Sequence, residues 1–93
     1  MEKQARARAI IFGRVQGGFF RAETQRAAVG FSVCGWVRNK RDGTVEAVFE
    51  GRHQDVDAML NWCRQGPGMA RVDKVDVDWQ DYTGEFDRFD VTY

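Results

Sequence analysis

Arg21 and Asn39 are the two polar side chains whose settings in the sequence suit anion chemistry. Arg21 closes the run Gly13-Arg14-Val15-Gln16-Gly17-Gly18-Phe19-Phe20-Arg21. That run lies where an alternating apolar strand stops and a helical pattern begins. Adjacent glycines allow positive φ, so neighbouring main-chain N–H groups can converge on one point. A helix N-terminus adds partial positive charge there. The Arg21 guanidinium adds a full charge and a fork of donors that fits two oxygens of a phosphate-sized anion. By spacing alone the run also reads as a strand-to-helix turn that needs glycine, and no Gly-Lys-Ser/Thr phosphate motif is present. Asn39 ends a second apolar run beside Asp42-Gly43. Asparagine is common in turns, but its carboxamide is both donor and acceptor and can orient a water molecule.

Other chemistry is thin. His53 is the single histidine and lies in a polar turn. Ser32 is the single serine, with no base identified for it. Asp73, Asp76 and Asp78 read as a solvated strand face, not a metal cage. Trp36, Trp62 and Trp79 read as packing residues. Cys34 and Cys63 form neither a metal-type spacing nor a Cys-x-x-Cys pair. They read as reduced, mostly buried thiols, which fits a cytoplasmic protein.

Composition narrows the class further. The chain has 93 residues, 43% hydrophobic and 30% charged, as expected of one globular domain over 1–93. A chain of this size buries roughly 60–65% of its unfolded surface, enough for one modest core. Fourteen basic residues balance fourteen acidic ones, so no global field draws the chain to nucleic acid or an anionic membrane. No apolar run reaches the roughly 18–20 residues that span a bilayer, and Met1–Ala9 is too polar for a signal peptide.

The elements that must position Arg21 and Asn39 are legible in the periodicity. Ala7 to Val15 alternates as a strand, with apolar residues on both faces that suggest a central place in a sheet. Phe20, Thr24, Ala27, Ala28 and Phe31 form a helical stripe ending between Gly30 and Ser32. Val33 to Arg38 and Thr44 to Glu50 are strands joined through Asp42-Gly43, a hairpin signal. Val56, Met59, Leu60 and Cys63 mark a helix over Gln54 to Gln65, stopped by Gly66-Pro67-Gly68. Val75, Val77 and Trp79 alternate in a fourth strand. After a turn near Thr83-Gly84, Phe89, Val91 and Tyr93 share the phase of a last strand. The order β-α-β-β-α-β predicts an α+β, ferredoxin-like sandwich: one antiparallel sheet with both helices on one face. That fold alone decides nothing about activity.

The sequence resembles the acylphosphatase family. Gly13-Arg14-Val15-Gln16-Gly17-x-Phe19-Phe20-Arg21 is similar to its phosphate-loop signature. Gly35-Trp36-Val37-Arg38-Asn39, followed by Asp42-Gly43-x-Val45-Glu46, is similar to its second signature. Glu50-Gly51, Gly66-Pro67, Ala70-x-Val72 and Phe86-x-x-Phe89-x-Val91-x-Tyr93 also fit. The resemblance implies a small cytosolic monomer without metal or cofactor. It implies hydrolysis of the carboxyl–phosphate bond of acyl phosphates to a carboxylate and inorganic phosphate. It further implies that the amides of Val15 to Phe20 and Arg21 bind the phosphoryl group and that Asn39 holds the attacking water.

Two departures stand out. The family usually has valine where this chain has Gly18, which predicts a loop that costs more entropy to order. A non-catalytic phosphate- or anion-binding module of the same fold, impaired by Gly18, is therefore the alternative reading. Ser32 stands where the family often has glycine. An RNA-recognition domain shares the strand order, but Thr44–Glu50 lacks the Lys/Arg-Gly-Phe/Tyr signature and the net charge is zero.

Overall fold

The computed structural model describes residues 3–17 and 19–93. Strand β1 runs Gln4–Arg14, three residues earlier in onset than the alternation predicts. Ala5, Ala7, Ala9 and Ile11 form its buried face. Helix α1 (Phe19–Gly30) follows, burying Phe20, Thr24 and Ala28. The buried Thr24 hydroxyl is satisfied by donating to the Phe20 carbonyl at 2.7 Å. Strands β2 (Cys34–Asn39) and β3 (Val45–Arg52) form the expected hairpin, each displaced by one residue at its start. Asn39 is thus the last residue of β2, paired with Val45. Helix α2 spans His53–Gln65, β4 spans Arg71–Gln80 and β5 spans Phe89–Val91.

The end of α1 shows how local chemistry sets a boundary. Gly30 does not break the helix. The Val33 N–H donates to the Ala28 carbonyl (2.8 Å) and the Ser32 N–H to the Val29 carbonyl (3.2 Å). This is the Schellman pattern, and it forces the residue between helix and strand into the left-handed region. Ser32 occupies that position with φ +60°.

The sheet order is β4-β1-β3-β2-β5. β1 is central, between β3 and β4, as its two-faced pattern predicts. One expectation is corrected: the sheet is mixed, because β5 pairs with β2 in parallel. The physical reason is the long segment 81–88, which lets the chain cross to the far edge and return in the direction of β2. Tyr93 also falls outside the last strand and is almost fully exposed, so its apolar phase does not place it in the core.

Both helices cover one face. Phe20, Ala28, Val56, Met59, Leu60 and Cys63 share a single core with Ala7, Ala9, Ile11, Val37, Val45, Ala47 and Phe49. The alanines of β1 keep that face shallow enough for α2 to lie close. On the uncovered face β3 carries two buried carboxylates. Glu46 accepts from Arg8 (2.6 Å) and Arg38 (2.8 Å). Glu50 accepts from Arg6, from the Thr83 amide and hydroxyl, and from the Gly84 amide, all within 3.1 Å. Glu50 therefore fastens the crossing segment and, through it, the approach to β5. Burial alone would raise both carboxyls, but the arginine and amide donors outweigh it and hold each below the ordinary value of 4.5.

Candidate active site

The end of the sheet where β1 and β2 finish is the end where α1 begins. Gly13 lies inside β1, at the point where its register with β4 shifts. Its φ is +134°, and a Cβ there would meet the Arg71 carbonyl oxygen at 2.1 Å. The close approach of β1 to β4 requires glycine, and the extra residue of the register shift, Asp73, lies on β4. Gly13 thus belongs to β1, which pairs through Arg14 before the loop begins.

The loop side chains divide into anchors and one strap. Val15 is buried at 2% exposure, and Phe20 at 4% packs against Trp62 with ring centroids 6.0 Å apart. These two residues nail the loop's ends to the core. Gly17 is at φ +135° with open space where a Cβ would stand. The N–H groups of Gln16 and Gly17 donate to no backbone carbonyl among the described residues. Phe19 projects outward, 79% exposed. Gly18 lies outside the described residues.

Gln16 has a role that the sequence does not reveal. Its Nε2 donates to the carbonyls of Lys40 (2.6 Å) and Thr44 (2.8 Å). The β2–β3 turn that carries those carbonyls is itself closed by the Lys40 N–H donating to Thr44 (2.8 Å) and by Asp42 accepting from the Thr44 amide and hydroxyl. Thr44's donors hold the Asp42 carboxyl below its ordinary value. The strap binds the loop to the residue directly after Asn39, across the intervening strand β3. Register alone could not predict this, because a side chain two strands away makes the contact.

Asn39 ends β2 and Arg21 stands in the first turn of α1, at this same end of the sheet. Asn39 Oδ1 is buried and has no hydrogen-bond partner among the described residues. A buried acceptor left unpaired costs about 1–3 kcal/mol, so it marks a place where a donor is expected in the working state. Arg21, in the first turn of α1, is held from the β5 side. Its Nη1 donates to the Thr92 carbonyl at 3.3 Å and its guanidinium lies 4.6 Å from the Tyr93 ring centroid. Thr92 in turn donates its N–H to the Val37 carbonyl at 2.8 Å, two residues before Asn39. Among the described residues Arg21 forms no ion pair, so its charge is not spent on a neighbouring carboxylate.

The remaining candidates lie elsewhere. His53 opens α2 at the opposite end of the sheet, stacked on Trp79 at 4.8 Å, with Nδ1 3.1 Å from Asp57. Trp79 is 45% exposed there and packs against the His53 ring. Asp73, Asp76 and Asp78 are exposed along β4. Cys34 and Cys63 are free thiols on β2 and α2. Burial pushes the Cys63 thiol up to about 12, with Arg64 opposing the shift weakly.

Comparison with known proteins identifies the fold and the family. The acylphosphatase family profile matches residues 7–91. An acylphosphatase of Pelotomaculum thermopropionicum is 50% identical over 90 residues, covering 97% of this chain and 98% of the relative. One from Syntrophus aciditrophicus is 54% identical over 88 residues, covering 95% and 92%. The crystal structure of acylphosphatase from Bacillus subtilis superposes with a TM-score of 0.91 at 30% identity, covering 96% of this chain and 99% of that one. With its loop, its arginine and its unpaired asparagine at one end of that fold, the chain belongs to the acylphosphatase family.

Proposed function

We propose that Arg21 and the main-chain amides of Val15 to Phe20 bind the phosphoryl group of an acyl phosphate, and that Asn39 orients the attacking water. As a member of the acylphosphatase family, the protein hydrolyses acyl phosphates to a carboxylate and inorganic phosphate. The unpaired, buried Oδ1 of Asn39 carries the assignment of roles. An acceptor there takes one water hydrogen and turns the oxygen lone pair toward phosphorus. Acyl phosphates have a good leaving group, so positioning and charge stabilisation account for most of the catalysis. A phosphoryl oxygen of the substrate takes the water proton, and no protein base is needed. One domain of 93 residues performs the reaction as a monomer. The free thiols support a cytoplasmic setting, and the zero net charge supports the absence of a nucleic-acid partner. Among the described residues no helix is long and apolar enough to cross a membrane.

Phosphate release from benzoyl phosphate tests the reading. Arg21→Ala should remove most turnover and weaken inorganic phosphate binding. A preorganised donor at such a site is worth about 2.7–4 kcal/mol, or roughly 10²–10³ in rate. Asn39→Ala should slow turnover with little change in phosphate affinity. Equal loss of affinity in both variants contradicts the division of roles. The non-catalytic alternative predicts phosphate binding without release from the wild-type protein.

A further inference from the structure

Two depressions adjoin at the phosphate loop and share one apolar wall. A cavity of about 170 Å³ is lined by loop residues 14–17 with Phe19, Phe20, Met69 and Ala70. Beside it lies a groove of about 420 Å³ between the first turns of α1 and the α2–β4 connection, lined by Phe19, Phe20, Glu23, Pro67, Met69 and Ala70. Met69 is 97% exposed and Phe19 79% exposed. The connection is held in shape by the Ala70 N–H donating to the Pro67 carbonyl at 2.9 Å. A large apolar patch with a fixed rim next to a polar cradle marks a ligand surface.

We propose that this groove seats the acyl group of the substrate, and that it selects apolar, uncharged acyl phosphates. The inference rests on the reading of the loop as the phosphoryl site. An acyl carbon is joined to phosphorus through one bridging oxygen, so it emerges within a few bond lengths of the cradle. In-line displacement puts the leaving oxygen opposite the attacking water. Asn39 lies toward β2, whereas Met69 and Ala70 lead into β4, at the other edge of the sheet. The leaving group is therefore directed toward the groove. The depression on the β2 side, lined by Trp36, Arg38, Glu46 and Thr92, belongs to the uncovered face that carries Glu46, not to the face covered by α1. A phenyl ring fills a cavity of about 150 Å³, so the groove accommodates it with room for short alkyl chains. Glu23 is the one acidic side chain on the groove's lining; its Oε1 pairs with Arg26 at 3.3 Å, a solvent-screened contact that leaves the carboxylate to disfavour a second negative charge at the far end of the acyl group.

The test compares kcat/KM for benzoyl, acetyl and succinyl phosphate in the wild type, Met69→Gln, Met69→Leu and Glu23→Gln, with inhibition by inorganic phosphate measured in each. Met69→Gln should lower kcat/KM for benzoyl phosphate about five- to tenfold, while acetyl phosphate and phosphate inhibition stay within twofold. Met69→Leu should retain benzoyl phosphate activity. Glu23→Gln should raise kcat/KM for succinyl phosphate severalfold relative to acetyl phosphate. Benzoyl and acetyl phosphate falling together in Met69→Gln, or neither falling, overturns the groove assignment alone. No phosphate release from any of the three by the wild type overturns the hydrolase reading and the groove with it.

Discussion

Tyr93 lies under Arg21: the guanidinium carbon is 4.6 Å from the centre of the ring, and the same side chain reaches the Thr92 carbonyl. A helix-borne cation is thus braced by the segment beyond β5. Such a stack limits the rotamers of a long side chain before ligand arrives, which lowers the entropy lost on binding. An exposed cation–π contact is worth about 0.5–1 kcal/mol. Tyr93→Ala should therefore weaken inorganic phosphate binding about two- to fivefold, measured calorimetrically or by inhibition, and Tyr93→Phe should restore it. Tighter binding in Tyr93→Ala would mean that the ring competes with the anion for Arg21.

Gln16 couples the loop to the turn after Asn39, and its removal should separate the two halves of the site. Two neutral hydrogen bonds contribute about 1–3 kcal/mol together. Gln16→Ala should lower unfolding stability by about 1–2 kcal/mol and reduce kcat more than phosphate affinity. Gln16→Glu should be worse than alanine, because a carboxylate would face two carbonyl oxygens with no donor to give. Denaturant unfolding alongside a kcat and KM comparison reads both effects. Equal stability of the Glu and Ala variants would contradict the strap.

Acid should loosen the uncovered face of the sheet. The carboxyls of Glu46 and Glu50 lie below their ordinary value in the folded protein. Between the folded and ordinary values the unfolded chain binds more protons, so stability rises with pH across that window. The contribution is fully present above about pH 4.5 and is lost as pH falls through the lowered folded values. Glu46→Gln should flatten the fall in stability below pH 4.5 while leaving the slope above pH 6 unchanged. An unaltered acid slope in that variant would remove Glu46 from the account.

Ser32 is a local conflict that glycine relieves. A left-handed conformation costs a residue with Cβ roughly 1–2 kcal/mol, while glycine costs about 0.5–1 kcal/mol more entropy on folding. Ser32→Gly should thus stabilise the fold by about 0.5–1 kcal/mol in chemical denaturation, without affecting turnover. A loss of stability would show that the Ser32 side chain compensates its own strain.

Periodicity and turn chemistry were enough for most of the architecture. The stripe from Phe20 to Phe31, the alternation of β1 and Asp42-Gly43 are short-range signals, and each element formed within a few residues of its expected bounds. The loop residues and Asn39 were legible as polar chemistry at element ends, and the resemblance joined them into one family. Gly13 falls in β1 as the alternation predicts, but the reason it is glycine, the approach of the Arg71 carbonyl, is a contact from another strand.

What the sequence by itself determined was which segments become helix and strand, and which residue types stand where they end; those are matters of backbone propensity and local burial. The tertiary structure alone decided that β5 runs parallel to β2, that Gln16 reaches Lys40 and Thr44, and that Tyr93 supports Arg21. Each of these joins residues separated by long stretches of chain. Their formation depends on the crossing of segment 81–88 and the packing of α1, and no local pattern encodes such a distance.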